Sequence, residues 1–386
     1  MKIQKIEYQD QEYEWKIETL ELLPNLTLLV GGSGAGKTLI IKSILNLKKI
    51  ANGASLNGIK WDVCFSAKNG ANYRWKGEFE TQKDLFIDQS GNEKGEFNIE
   101  ENEFNVLEEF LYKDDQEIIK RNSQGIFFKG IQTPKLSPSQ STIELFQQEE
   151  DIAPAKKDLD KIIFSDPDRT TMGVYGIPTA IFQKYENSSL SSIQNSDLPL
   201  PIKLSLIYRY LPEVFQKIKN KFIEIFPQVE DIKIAPLTRN KIPIALTEFL
   251  SESTSVSLKE KGVDSWIIQA NISSGMYKTL MYLSELFLVP EGSIILIDEF
   301  ENSLGINCID SVTDLIVENR NSQFIITSHH PYIINNLSPE FWKIIIRRGG
   351  LITAKNAQDF HISKSRQKAF IDLINVLEDY YENIED

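Results

Sequence analysis

The chain has 386 residues, 41% of them hydrophobic and 25% charged, and a formal net charge of −13. That length supports one large domain or two ordinary ones, and the negative charge argues against a whole-surface field that would draw in nucleic acid. Its two cysteines, Cys64 and Cys308, stand far apart without ligand spacing and point to neither a disulfide framework nor a zinc site.

The longest apolar runs, such as Ser293–Ile297 and Phe324–Thr327, are strand-sized and fall well short of the roughly 20 residues a membrane span needs. The opening Met1-Lys2-Ile3-Gln4-Lys5 has no apolar signal-peptide core. A cytoplasmic protein without membrane association is expected. Basic clusters at Lys217–Lys221, Arg347–Arg348 and Lys364–Lys368 read as solvated helix faces or strand ends. DNA binding is left open.

Residues 1–30 read as strands near period two, closing with the continuous apolar strand Leu26–Val30. A Gly-rich turn follows, then a helix over Lys37–Leu47. From Ser55 to Phe128, aromatic-rich segments such as Lys60–Ser66, Tyr73–Glu80 and Glu96–Asn105 alternate with Asn/Gly turns, as in an antiparallel sheet. Pro and Ser accumulate between Ser137 and Leu237, and Leu204–Phe226 is apolar at helical spacing, broken near Pro212. No long heptad array is present, which excludes a long coiled-coil arm. Strands are expected at Ile232–Ile244 and Trp266–Ile272, and a helix at Met276–Leu288. A strand ending at Asp298-Glu299 precedes the helix Cys308–Glu318 and the buried strand Gln323–Thr327. Two short strands and a terminal helix complete the chain.

Gly31-Gly32-Ser33-Gly34-Ala35-Gly36-Lys37-Thr38 matches the P-loop pattern between a strand and a helix. Glycines let the backbone curl so that its N–H groups converge on phosphate oxygens, and the helix N-terminus adds its dipole. Lys37 would reach the β- and γ-phosphates of ATP, and the Thr38 hydroxyl would ligate Mg²⁺. Ile294–Ile297 ends in an acid pair: Asp298 would hold Mg²⁺, and Glu299 would orient and deprotonate the attacking water.

About twenty residues earlier, Ile272-Ser273-Ser274-Gly275-Met276 opens a helix. The order of P-loop, serine–glycine segment, Asp-Glu strand and histidine resembles the ABC ATPase superfamily, and within it the RecF/SMC-type heads. The implied fold is α/β: a P-loop ABC-type ATPase head with an antiparallel β subdomain and a helical or mixed insertion lobe. Residues 1–140 would be the P-loop lobe, 141–260 the insertion, 261–345 the rest of the core and 346–386 the terminal strands and helix. In this resemblance Ser273 and Gly275 take the family's signature serine and second glycine, beside Ser274, and meet the γ-phosphate held by an opposite subunit. Ser274 and Met276 depart from the family pattern. Asp298–Leu304 resembles the Asp-Glu-x-Glu-Asn-x-Leu stretch of RecF-like ATPases, with Gly305 where many transporters have aspartate. Thr327-Ser328-His329 resembles the switch histidine segment, with His330 adjoining. The family's Q-loop glutamine is assigned to Gln140, with Gln132 and Gln147 as alternatives, and Tyr13 or Trp15 could stack on adenine.

The resemblance implies a homo-oligomer, at least a dimer with composite ATP sites. Compact size and the Ser-Ser-Gly-Met and Glu-Asn-Ser-Leu variants look most like stand-alone ATPases of bacterial anti-phage systems, including the ATPase subunit of PARIS. There the effector is a separate chain, so a separately encoded partner such as a Toprim-type nuclease or toxin, and a phage-protein trigger, are expected. The alternative is a RecF/SMC-like repair or chromosome ATPase that binds DNA directly. A transporter or ribosome-associated ATPase fits less well, because of the sheet-rich Ser55–Phe128 region and the single head.

Overall fold

The structure, a computed structural model, describes residues 1–82, 103–165, 175–236, 252–304, 306–363 and 365–382. Most of the strand expected at Glu96–Asn105, the 237–244 part of that expected at Ile232–Ile244, and Gly305 lie outside the described residues. The chain divides into two compact units, one of Met1–Phe164, Gly292–Asp298 and Arg320–Asp386, the other of Ser165–Glu291 and Glu299–Asn319.

Among the described residues, the first unit is built on one sheet of 14 strands. From one edge it runs Ile162–Ser165, Ile294–Ile297, Gln323–Thr327, Leu26–Val30, Trp342–Arg348, Leu351–Asn356, Trp15–Glu21, Lys2–Asp10, Ile59–Ser66, Asn72–Phe79, Val106–Lys113, Gln116–Asn122, Gly125–Phe128 and Ile131–Gln132. The strands from Ile294–Ile297 to Trp342–Arg348 pair in parallel. Three of them, Ile294–Ile297, Gln323–Thr327 and Leu26–Val30, are buried at every position, as unbroken apolar runs require of strands covered on both faces. From Trp15–Glu21 outward the pairing is antiparallel, and buried residues alternate with half-buried or exposed ones along Ile59–Ser66 and Asn72–Phe79. Trp61 meets Trp75 edge-on at 5.2 Å and Phe79 at 5.3 Å on the inner face.

The P-loop helix runs four residues past its expected end, over Lys37–Ala51. It buries Ile40, Ile41, Ile44, Leu47 and Ile50, the three-and-four spacing of an apolar helical stripe. Ile143, Ile152, Leu159 and Ile162 join the same core. Residues 141–164 therefore pack with the P-loop unit, and the chain leaves it at Phe164–Ser165 rather than near residue 140.

The second unit has a smaller sheet in the order Tyr175–Ile177, Glu252–Glu260, Val229–Pro236, with Ile267–Ile268 also paired to Glu252–Glu260. The strand expected over Trp266–Ile272 shrinks to those two residues before a 3₁₀ turn at Gln269–Asn271. The apolar run from Leu204 forms two helices, Leu200–Tyr210 and Pro212–Ile225, because Pro212 lacks an N–H and restricts Leu211, which leaves the helical region with ψ 61°. Ile207, Ile218, Phe222, Leu258, Leu280 and Leu283 form its core. Among the described residues, no helix is long and apolar enough to cross a membrane.

Candidate functional site

Parallel strands end at the same edge of a sheet, and here that edge gathers Gly31, Asp298 and Thr327 through His329. The register sets Ile297 opposite Ile326 and Thr327 opposite Leu29, so Asp298 emerges beside Thr327. The fully buried Thr327 donates its hydroxyl hydrogen bond to Asp298 Oδ1 at 2.6 Å.

The loop Gly31–Gly36 turns tightly, with Ala35 N donating to Gly32 O at 3.3 Å. Gly31 is required by close approach to backbone, and Gly36 by its left-handed conformation. A Cβ on Gly31 would lie 2.5 Å from the Ile345 carbonyl oxygen, and one on Gly36, whose φ is 98°, would lie 2.6 Å from Ile352 Cδ1. Gly36 caps the helix without a side-chain hydrogen bond, and no acidic residue stands in its first turn. The amide end of the dipole is thus offered to an anion. Ser33 and Gly34 are exposed on the loop, and Thr38 is half-buried in the first turn. Lys37 is buried, donating from Nζ to the carbonyl oxygens of Gly31 and Gly32, both at 2.9 Å, and lying 3.4 Å from His329 Nδ1. The two histidines are thereby distinguished. His330 Nδ1 accepts from Tyr332 N at 3.2 Å and caps the short helix Pro331–Asn336, whereas His329 faces the P-loop lysine.

Tyr13 and Trp15 also separate. Trp15 stacks on Tyr8 at 5.7 Å, whereas Tyr13 is 71% exposed in the turn before Trp15–Glu21. That strand pairs with Leu351–Asn356, whose Ile352 abuts Gly36.

Gln140 is not brought to this edge. The amide of Gln140 lies near Gly53, just past the far end of the P-loop helix, and a helix of 15 residues is about 22 Å long. Its backbone is fixed there by Arg121, which donates to the carbonyls of Ser137, Pro138 and Gln140. The Q-loop assignment to Gln140 is therefore corrected. Gln132 lies on the outermost strand, and Gln147 donates to Glu144 at 2.9 Å.

In the second unit, Ser273 caps the helix Ser274–Leu288, its hydroxyl accepting from Met276 N at 3.3 Å. Ser273 and Ser274 are exposed, and Gly275 is half-buried. Glu299 is exposed and adopts φ 49°, a left-handed conformation that costs a non-glycine residue about 1–3 kcal/mol. Its carboxylate accepts from Asn302 Nδ2. Thr327 and Asn302 carried no sign of these contacts in local sequence, since a strand register and a turn create them.

Thr38 and Asp298 carry oxygen atoms of the hard type that would suit Mg²⁺, an ion that takes one or two protein ligands and completes its shell with phosphates and water. Among the described residues, no group of three or more His, Cys, Asp or Glu could hold a metal on its own.

No curated protein sequence matches the chain. Among solved structures it is similar to an Smc head bound to the C-terminal winged-helix domain of ScpA, at 13% identity and a TM-score of 0.50, covering 92% of this chain and 98% of that one. It is also similar to an Smc head domain with an extended coiled coil, bound to the C-terminal domain of ScpA derived from Pyrococcus furiosus. That match is 14% identical with a TM-score of 0.47, covering 97% and 99% of the two chains. The first match shows a mixed α/β fold similar to that of an Smc head, consistent with a P-loop fold. The profile of the family described as "AAA domain, putative AbiEii toxin, Type IV TA system" matches residues 26–335, and the chain belongs to that family.

Proposed function

We propose that the protein is a Mg²⁺-dependent ATPase that pairs two heads around ATP and acts as a switch on a separately encoded effector. The carrying observation is the Lys37 ammonium, held over its own loop and within reach of His329 at the end of the neighbouring strand. With ATP bound, Lys37 exchanges those carbonyl contacts for β- and γ-phosphate oxygens, and the first-turn amides hold the phosphates. Thr38 and Asp298 would hold Mg²⁺, which would supply charge neutralisation at the phosphates. Thr327 orients Asp298, His329 contacts the γ-phosphate, Glu299 takes the proton of the attacking water, and Tyr13 stacks on the base.

Each chain offers one P-loop and one Ser273–Gly275 segment. In a dimer the exposed Ser273 hydroxyl and the amides beside it would complete the partner's site. ATP then closes the pair and hydrolysis opens it, a two-state element a partner can read. The family description, a putative AbiEii toxin of a type IV toxin–antitoxin system, supports a role in bacterial defence with an effector such as a nuclease or toxin. The test is purification of the tagged protein from its native operon, with mass spectrometry of what accompanies it. A stoichiometric product of a neighbouring gene supports the reading. Elution alone, with ATPase activity rising on duplex DNA at physiological salt, would replace it with a RecF/SMC-like ATPase that binds DNA directly.

A further inference from the structure

The left-handed turn at Glu299 is held from two points on one helix. Asn302 N donates to Glu299 O at 2.9 Å and closes the 3₁₀ turn Phe300–Ser303. Phe300, 1% exposed, meets the Tyr282 ring edge-on at 5.9 Å. Lys278 Nζ donates to the Asn302 carbonyl oxygen at 3.3 Å. Lys278 and Tyr282 are four residues apart on the helix Ser274–Leu288, so one face of that helix carries both holds.

We propose that Asn302 is the positioning residue for the Glu299 carboxylate, and that Lys278 and Tyr282 lock its turn to the helix beginning at Ser273–Gly275. The proposal rests on the reading of Glu299 as the residue that activates water. A carboxylate rotates broadly about its terminal bond, and the Asn302 amide on Oε2 fixes that rotation. Lys278 holds Asn302 by its carbonyl, so a shift of the first turns of the helix reaches the base through one side chain. Those same turns carry the Ser273–Gly275 segment. Engagement of that segment by a partner and orientation of the base are therefore linked within one subunit.

The experiment measures kcat, KM and nucleotide Kd for Asn302→Asp, which keeps the size but loses the donor, and for Asn302→Ala and Lys278→Met. Each is made in the wild-type and Glu299→Gln backgrounds. In the wild-type background kcat should fall about 10- to 100-fold while KM and Kd stay within about threefold. With Glu299→Gln present, the same changes should alter kcat less than about threefold, because the residue they position no longer acts. Equal losses in both backgrounds, a parallel loss of nucleotide affinity, or wild-type kcat in the Asn302 variants would overturn the proposal. Lys278→Met, on a half-buried helix position, keeps the test open if the Asn302 variants misfold. If Glu299→Gln alone leaves the rate unchanged, the reading of Glu299 as base fails instead.

Discussion

The Nζ of Lys37 lies 3.4 Å from Nδ1 of His329, across 292 positions of sequence. An ammonium only donates, so in this contact Nδ1 is the acceptor. In the proposed function His329 contacts the γ-phosphate and Lys37 the β- and γ-phosphate oxygens. Lys37→Ala should abolish nucleotide binding in a titration calorimeter. His329→Ala should leave affinity within about tenfold and slow hydrolysis by about 10²-fold, as loss of one donor to developing charge does.

Thr327 orients Asp298 from a fully buried position. Thr327→Val keeps the branched shape but removes the donor. The Mg²⁺ concentration for half-maximal ATP hydrolysis should rise about 10- to 100-fold, the usual effect of losing a partner of a metal ligand. Chelation of Mg²⁺ should stop hydrolysis in every variant.

The P-loop was legible because strand, turn and helix are contiguous: the apolar run Leu26–Val30 enters the glycines, and Lys37 opens the helix. The alternating strands after Ser55 were legible for the same local reason. Gln140 was not, because its place depends on Arg121 and on the buried Glu109, which accepts from Trp75 Nε1 and Thr142 N and so draws the 137–142 segment onto the sheet. Ile162–Ser165 escaped notice because four residues at a sheet edge show no period. His329 and His330 could not be told apart until the helix that His330 caps was visible.

Glu285, on the helix after Ser273, is half-buried, and desolvation pushes its carboxyl up to about 7 against a hydrogen bond from Ser165 and the charge of Lys203. A carboxyl raised in the folded state lends stability that is complete below its unfolded value and lost as pH rises through the folded one. Stability should therefore decline between about pH 4.5 and 7, by at most about 3 kcal/mol from this residue. Glu285→Gln should flatten that decline and raise Tm at pH 8, read by thermal melts across the range.

A composite site predicts complementation. Lys37→Ala chains retain the Ser273–Gly275 segment, and Gly275→Asp chains retain the P-loop, so each homodimer should be inactive. Mixed dimers regain one whole site and should recover part of the ATPase rate. Background activity after proven subunit exchange, with nucleotide occupancy measured alongside, would favour a self-contained site.

The most direct measurement is ATP hydrolysis and ATP binding by the purified wild-type chain and its Glu299→Gln variant, side by side with Mg²⁺. The account predicts that wild type turns ATP over, while the variant binds it with similar affinity and hydrolyses it about 10²- to 10⁴-fold more slowly, the range for loss of a general base. A wild-type chain that fails to bind ATP, or a variant that hydrolyses it at the wild-type rate, would contradict it.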